Sequence, residues 1–302
     1  MAAGANTSPV AYTVVVPVYR GQYTLMPLAQ QLTDFFETRR LSYQLIFVDD
    51  CSPDNSWQIL LEIKRQWPNT VTLVKLARNA GQHAATLCGF TFARSQYTLT
   101  LDEDLQHPPQ EIAMLIATQQ KGNLQLVYGQ YLTPNHSRLR NLASGIFNRF
   151  ISAVVPNLYP GFTSFRLIAT QLAQQAAALP LPYPFADGCL ARLNPKTAAC
   201  PVTHLPETEN RKSAYNWLKL VNHARGIVLG FTPLPALASG CFLCLFFPAA
   251  VLFAFFAPHM QFRYFLWLAA ATAATAAVFT LAVAWWRKQA AAFAAWQVKE
   301  VL

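Results

Sequence analysis

Tyr97-Thr98-Leu99-Thr100-Leu101-Asp102-Glu103-Asp104-Leu105-Gln106-His107-Pro108-Pro109 runs from an apolar segment into three acids and then a proline pair. The Thr and aromatic content predicts a strand ending at Asp102, and Pro109 suits the first turn of a helix reaching Lys121. Carboxylates at i and i+2 on a strand's end can grip one divalent cation, which can in turn hold a diphosphate. The competing reading is a solvated acidic turn capping the next helix, since Asp and Glu favour helix N-termini. Both fit the triplet, and its neighbours along the chain decide between them.

Outward from this stretch the strand-to-helix unit recurs. Tyr12–Val18, Tyr43–Asp49, Thr70–Leu76 and Leu124–Gly129 read as further strands, and Tyr23–Arg40, Ser56–Trp67 and Gly81–Arg94 as helices between them. Alternation of this kind predicts an open α/β sheet, Rossmann-like and mostly parallel. Ligands of such sheets sit beyond the carboxyl ends of the strands. Polar groups fall at those ends here: Pro17-Val18-Tyr19, Asp49-Asp50-Cys51-Ser52, Arg78-Asn79 and Asp102-Glu103-Asp104. Turn chemistry accounts for Ser52-Pro53-Asp54-Asn55, but not for an acid or amide after nearly every strand.

The chain has 302 residues, 53% of them hydrophobic, and a formal net charge of +9. Its apolar excess is concentrated. No Asp, Glu, Lys or Arg lies between Arg225 and Arg263, or from Tyr264 to Trp286. Both stretches exceed the roughly 20 residues that cross a bilayer. Spans are expected near Leu234–Ala257 and Tyr264–Trp286, the Ala-rich second being the weaker signal. A buried helical pair is the alternative. Basic residues flank the outer ends of this hairpin, which predicts both termini on the cytoplasmic side. Met1–Pro9 lacks a basic stretch followed by an apolar one, so the spans themselves are expected to direct insertion. The expected organisation is a catalytic domain over 1–209, a juxtamembrane amphipathic segment over 210–233, two transmembrane helices over 234–286 and a cytoplasmic C-terminal helix over 287–302. The basic residues beside the spans favour a membrane over nucleic acid as the anionic partner. The six cysteines form no pair of metal-type CxxC units and are expected as reduced thiols; Cys241 and Cys244 fall inside a span.

Val14-Val15-Val16-Pro17-Val18-Tyr19, Phe47-Val48-Asp49-Asp50-Cys51-Ser52, Arg78-Asn79-Ala80-Gly81-Gln82-His83 and Leu101-Asp102-Glu103-Asp104-Leu105-Gln106 follow one another in an order that resembles the family 2 glycosyltransferases. The similar group charges a polyisoprenyl phosphate with a sugar. The resemblance implies a GT-A fold, an inverting transfer from a nucleotide-sugar, UDP being the more frequent donor among bacterial relatives, and Mg or Mn as cofactor. It also implies a polyprenyl phosphate acceptor, a two-pass location in the bacterial inner membrane and a homo-oligomer, tetrameric among relatives. It places Pro17, Tyr19, Asp50 and Asn79 on the donor, Asp102 by the ribose and diphosphate, and Asp104 with Gln106 on the metal. Arg140 and Ser144 would lie near the acceptor phosphate, and Arg211 and Lys212 beside the diphosphate.

The chain also departs from the family pattern. Arg20-Gly21-Gln22 stands where Asn-Glu is common, Gln130-Tyr131-Leu132 lacks an Arg, and Tyr159–Arg166 has no acid before Phe165-Arg166. Asp187 either replaces that acid or is a turn residue in Phe185-Ala186-Asp187-Gly188. His83 reads as a packing residue. A processive synthase is disfavoured by the absence of a Gln-x-x-Arg-Trp element, and an inert nucleotide-sugar-binding subunit of the same fold is the remaining alternative.

Overall fold

The computed structural model describes residues 10–131, 151–181, 183–203, 205, 217–232, 281 and 297–302. The strands are β1 (Tyr12–Val18), β2 (Tyr43–Asp49), β3 (Val71–Leu76), β4 (Tyr97–Thr100), β5 (Leu126–Tyr131), β6 (Arg166–Ala169), β7 (Thr197–Val202) and β8 (Val298–Val301). They form one sheet in the order β7-β5-β6-β4-β1-β2-β3-β8. The β1·β2, β1·β4, β2·β3 and β5·β7 pairs are parallel, whereas β6 runs antiparallel to β4 and β5, and β8 antiparallel to β3. The helices are α1 (Leu25–Thr38), α2 (Ser56–Gln66), α3 (Gln82–Phe92), α4 (Ile112–Gly122), α5 (Thr170–Ala177), α6 (Ala186–Arg192) and α7 (Trp217–Phe231).

All seven residues of β1 are buried, because helices cover both faces of the sheet. Val14, Val16 and Val18 join Leu45 and Phe47 of β2 against Leu28, Leu32 and Phe36 of α1 and Leu60 and Ile63 of α2. Val15 faces the other way, onto α3. There a Cβ added at Gly89 would lie 2.3 Å from Val15 Cγ1, so the missing side chain is what lets α3 approach β1.

Pro17 sits in a central strand at no cost in hydrogen bonds. Tyr12 N donates to Ser42 O, and Asp50 N to Val18 O, so even-numbered residues of β1 face β2 and Pro17 faces the β4 side. The β1·β4 ladder ends at Val15 and Thr100, leaving no partner there to miss a proline N–H. Strand order reverses at this same place, which opens a crevice between the carboxyl ends of β1 and β4.

The parallel α/β expectation holds for β1 to β5. Three strands were not legible: β6, which wedges between β4 and β5, β7, which pairs with β5 at the sheet's edge, and β8. The tail expected as a helix over 287–302 ends in β8, where Leu302 and Leu73 exchange backbone hydrogen bonds of 2.8 and 2.9 Å and Glu300 lies opposite Lys75. Pairing with the otherwise open edge of β3 holds Val298–Val301 extended. Pro109–Glu111 forms a single 3-10 turn that leads into α4.

Arg140, Ser144, Arg211, Lys212 and, apart from Leu281, both expected spans lie outside the described residues. No helix among the described residues is long and apolar enough to cross a membrane. A second compact unit contains Pro180–Tyr183 and α7. Within it the Tyr183 ring lies against Gly226 and the Tyr183 Cβ against Gly230, and the Tyr183 hydroxyl bonds His223 Nδ1 at 2.7 Å.

Candidate active site

The site grows from the carboxyl ends of four parallel strands and the incoming end of one antiparallel strand. Three residues with side chains take left-handed backbone there: Arg20 (φ 61°) after β1, Cys51 (φ 57°) after β2 and Leu105 (φ 65°) after β4. Such conformations persist only where surrounding bonds enforce them, and they concentrate at ligand sites. Here Arg20 N donates to Ser52 Oγ at 3.2 Å and Gly21 N to Ser56 Oγ at 2.9 Å, tying the β1 and β2 loops together.

Asp49 and Asp50 are both buried. Asp49 Oδ1 accepts from Ser52 N at 3.1 Å. Asp50 accepts from Ala80 N at 2.6 Å and Gly81 N at 2.8 Å, while Asn79 Nδ2 donates to the Asp50 carbonyl at 3.3 Å. Asp50 and Asn79 therefore clamp the loop after β3 to the loop after β2, with Gly81 in the positive-φ conformation (90°) that the turn requires. Burial pushes the Asp50 carboxyl above its ordinary pKa, and the two backbone N–H groups pull it back. Tyr19, half exposed, lies under the Arg20 guanidinium at 5.4 Å.

The structure gathers Asp102, Asp104 and Gln106 in the loop after β4. Asp104 Oδ1 accepts from Gln106 N at 3.0 Å, which closes a tight turn. Gln106 exchanges bonds with Leu205: Leu205 N donates to Gln106 O at 3.0 Å, and Gln106 Nε2 to Leu205 O at 3.4 Å. That contact turns the amide oxygen of Gln106 away from Leu205. Asp102 is held from both sides, Oδ1 by the Gln82 amide and Oδ2 by the Ser164 hydroxyl at 2.7 Å.

Beneath this loop the buried His107 Nε2 bonds Tyr131 OH at 2.6 Å, with its ring stacked 5.1 Å from Phe165. Burial lowers the His107 pKa to about 4, although the nearby Asp104 charge opposes that shift. Burial, and then the Asp102 and Asp104 charges, push the Tyr131 phenol far above its ordinary range, so it is neutral.

Asp187, read as a sugar contact or a turn residue, is neither. It sits in the first turn of α6, buried, where it pairs with the Arg166 guanidinium and accepts from Tyr128 OH at 2.9 Å. Burial disfavours the Arg166 charge, yet Asp187 beside it more than compensates, so the Arg166 pKa is raised.

The described residues contain no cluster of three or more His, Cys, Asp or Glu side chains that could enclose a metal. Magnesium is commonly held by one or two carboxylates with substrate phosphate oxygens completing the shell. The hard oxygens of Asp104 and Gln106 fit a cation of that kind.

A family model described as "Glycosyl transferase family 2" matches residues 13–170, from the start of β1 to the start of α5. The chain belongs to that family. It is 30% identical over 227 residues to an undecaprenyl-phosphate 4-deoxy-4-formamido-L-arabinose transferase of Photorhabdus laumondii, covering 74% of this chain and 68% of that protein. It is 31% identical, with the same coverage, to the transferase of that name from Proteus mirabilis. Among solved structures it resembles glucosyl-3-phosphoglycerate synthase from Mycobacterium tuberculosis, crystallised with Mn2+, UDP and phosphoglyceric acid, at 18% identity and a TM-score of 0.50, over 72% of this chain and 76% of that one. That likeness shows the shared GT-A fold.

In this glycosyltransferase the residues expected from the sequence lie in or just after neighbouring strands: Pro17 and Tyr19 at the end of β1, Asp50 after β2, Asn79 after β3, and Asp102, Asp104 and Gln106 after β4. The sequence reading missed Ser164, the roles of Gln82 and Tyr131, and the Arg166–Asp187 pair. Phe165-Arg166-Leu167-Ile168-Ala169 carried the one available signal, a short β-rich run inside the matched region.

Proposed function

We propose that this glycosyltransferase moves a sugar from a nucleotide-sugar, a UDP-sugar foremost, onto undecaprenyl phosphate at the cytoplasmic face of a bacterial inner membrane, with inversion and with Mg or Mn as cofactor. What supports the reading is the joining of the loops after β2, β3 and β4: Asp50 holds Ala80 and Gly81, the adjacent Gln82 holds Asp102, and Asp104 with Gln106 lies in the same loop as Asp102. The name shared by the two bacterial relatives supports the acceptor.

The acceptor phosphate is anionic at neutral pH and needs no side-chain base, so this chain's contribution is positioning and charge. Asp102 would accept from the ribose, and Pro17, Tyr19, Asp50 and Asn79 would frame the nucleoside. Asp104 and Gln106 would hold the cation, which when bound neutralises charge on the departing diphosphate. Arg211 and Lys212 would flank that diphosphate. Arg140, with a guanidinium suited to bidentate phosphate contact, and Ser144 would hold the acceptor. The hairpin over 234–286 would anchor the crevice within reach of lipid headgroups, in a homo-oligomer.

The test is a donor screen with purified protein, undecaprenyl phosphate and a panel of UDP- and GDP-sugars, with Mg, Mn or EDTA. Transfer from one donor is expected only with metal, and Asp104→Ala should lower it by about a hundredfold or more, in line with losing a principal charge stabiliser. Full activity of that variant in EDTA would remove the metal assignment.

A further inference from the structure

We propose that Ser164 and Gln82 are positioning residues that fix Asp102 for the nucleoside side of the donor and leave the cation to Asp104. This inference rests on the donor reading above, which already separates the work of Asp102 and Asp104, and deepens it by naming what holds Asp102 in place.

The register explains why Ser164 arrives where it does. In the antiparallel β4·β6 ladder Thr100 lies opposite Arg166. Two residues beyond β4 is Asp102, and two residues before β6 is Ser164, so they face each other past the end of the same ladder. The backbone around Ser164 is tied on every side. Thr100 Oγ1 donates to its carbonyl, and Thr163 Oγ1 to Gly129 O at 2.9 Å. Arg166, two residues on, is locked by Asp187 and Tyr128 beneath the sheet. A hydroxyl held this firmly sets the plane of the carboxylate it bonds. Gln82, in the first turn of α3, reaches the other oxygen from the opposite side.

Asp102 therefore has a neutral donor on each oxygen. A cation chelated by both oxygens would compete with both donors. Asp104, in contrast, is bonded within its own turn to Gln106 N, beside a second hard-oxygen side chain. Preset orientation of Asp102 lowers the ordering that donor binding must bring about.

The experiment is calorimetric titration of the purified full chain with UDP and with GDP, first in EDTA and then with Mn2+. Ser164→Ala and Gln82→Ala should each weaken binding in EDTA by about tenfold while keeping the tightening that Mn2+ brings, as expected for losing a hydrogen bond to a charged group. Ser164→Thr, which keeps the hydroxyl, should restore it. Asp104→Ala should instead lose the Mn2+ gain. Unchanged binding in EDTA for both alanine variants overturns the inference, as does loss of the Mn2+ gain in either. Gln82 is exposed, so Gln82→Ala carries the test if Ser164→Ala does not fold. A wild-type chain that binds neither nucleotide overturns the donor reading itself, and this inference with it.

Discussion

Removing the Asp187 carboxylate tests how the floor of the site is built. Arg166 and Asp187 side chains are 2% and 3% exposed, so solvent screens neither charge. Asp187→Ala leaves the guanidinium buried without its counter-ion, a change that costs about 3–5 kcal/mol. It also strips Tyr128 OH of the acceptor it reaches at 2.9 Å, adding about 1 kcal/mol. Replacing both charges at once, as Arg166→Met with Asp187→Leu, removes the stranded charge and leaves mainly the Tyr128 hydroxyl to satisfy. The double variant should then lie within about 2 kcal/mol of wild type, less destabilised than either single variant, so the two changes are strongly non-additive. Urea unfolding of the full chain in detergent, followed by tryptophan fluorescence, gives the cycle. Because Ser164 hangs from Arg166 by two residues, the double variant should fold well yet bind nucleotide weakly. Additive single and double effects, or a loss under about 1 kcal/mol for Asp187→Ala, would refute the uncompensated-charge argument.

Gly89→Ala in α3 should destabilise by about 1–3 kcal/mol despite the better helix propensity of Ala, because the new methyl would meet Val15 Cγ1 at 2.3 Å; a raised melting temperature would show that α3 can shift. His107 governs acid sensitivity. Its folded-state pKa of about 4 lies below the ordinary value of 6.5, so its contribution is complete above pH 6.5 and lost as pH falls towards 4. At 1.36 kcal/mol per unit that loss is about 3 kcal/mol, and His107→Gln should flatten it when stability is followed in EDTA from pH 7 to 4. Parallel profiles for wild type and variant would exclude His107 as the titrating group.

Local pattern was enough for part of this molecule. Val14-Val15-Val16 and Leu45-Ile46-Phe47-Val48 are apolar runs because strands covered on both faces have no solvent side, and such runs alternate with helices only in an α/β sheet. That sheet puts its ligands at the carboxyl ends, so Asp50, Asn79, Asp102 and Asp104 could be gathered into one crevice before any coordinates. What a side chain does once it arrives depends on partners far along the chain, which pattern does not encode. Asp50 bonds Ala80 and Gly81, 30 and 31 residues away, and Asp102 bonds Ser164, 62 residues away. Four-residue β6 carries too little periodicity to announce itself, and its antiparallel course is fixed by the strands on either side. Asp187 looked like a turn residue because burial is a property of the assembled fold. Only the folded sheet could set it against Arg166, since the energy of a charge depends on what displaces the water around it.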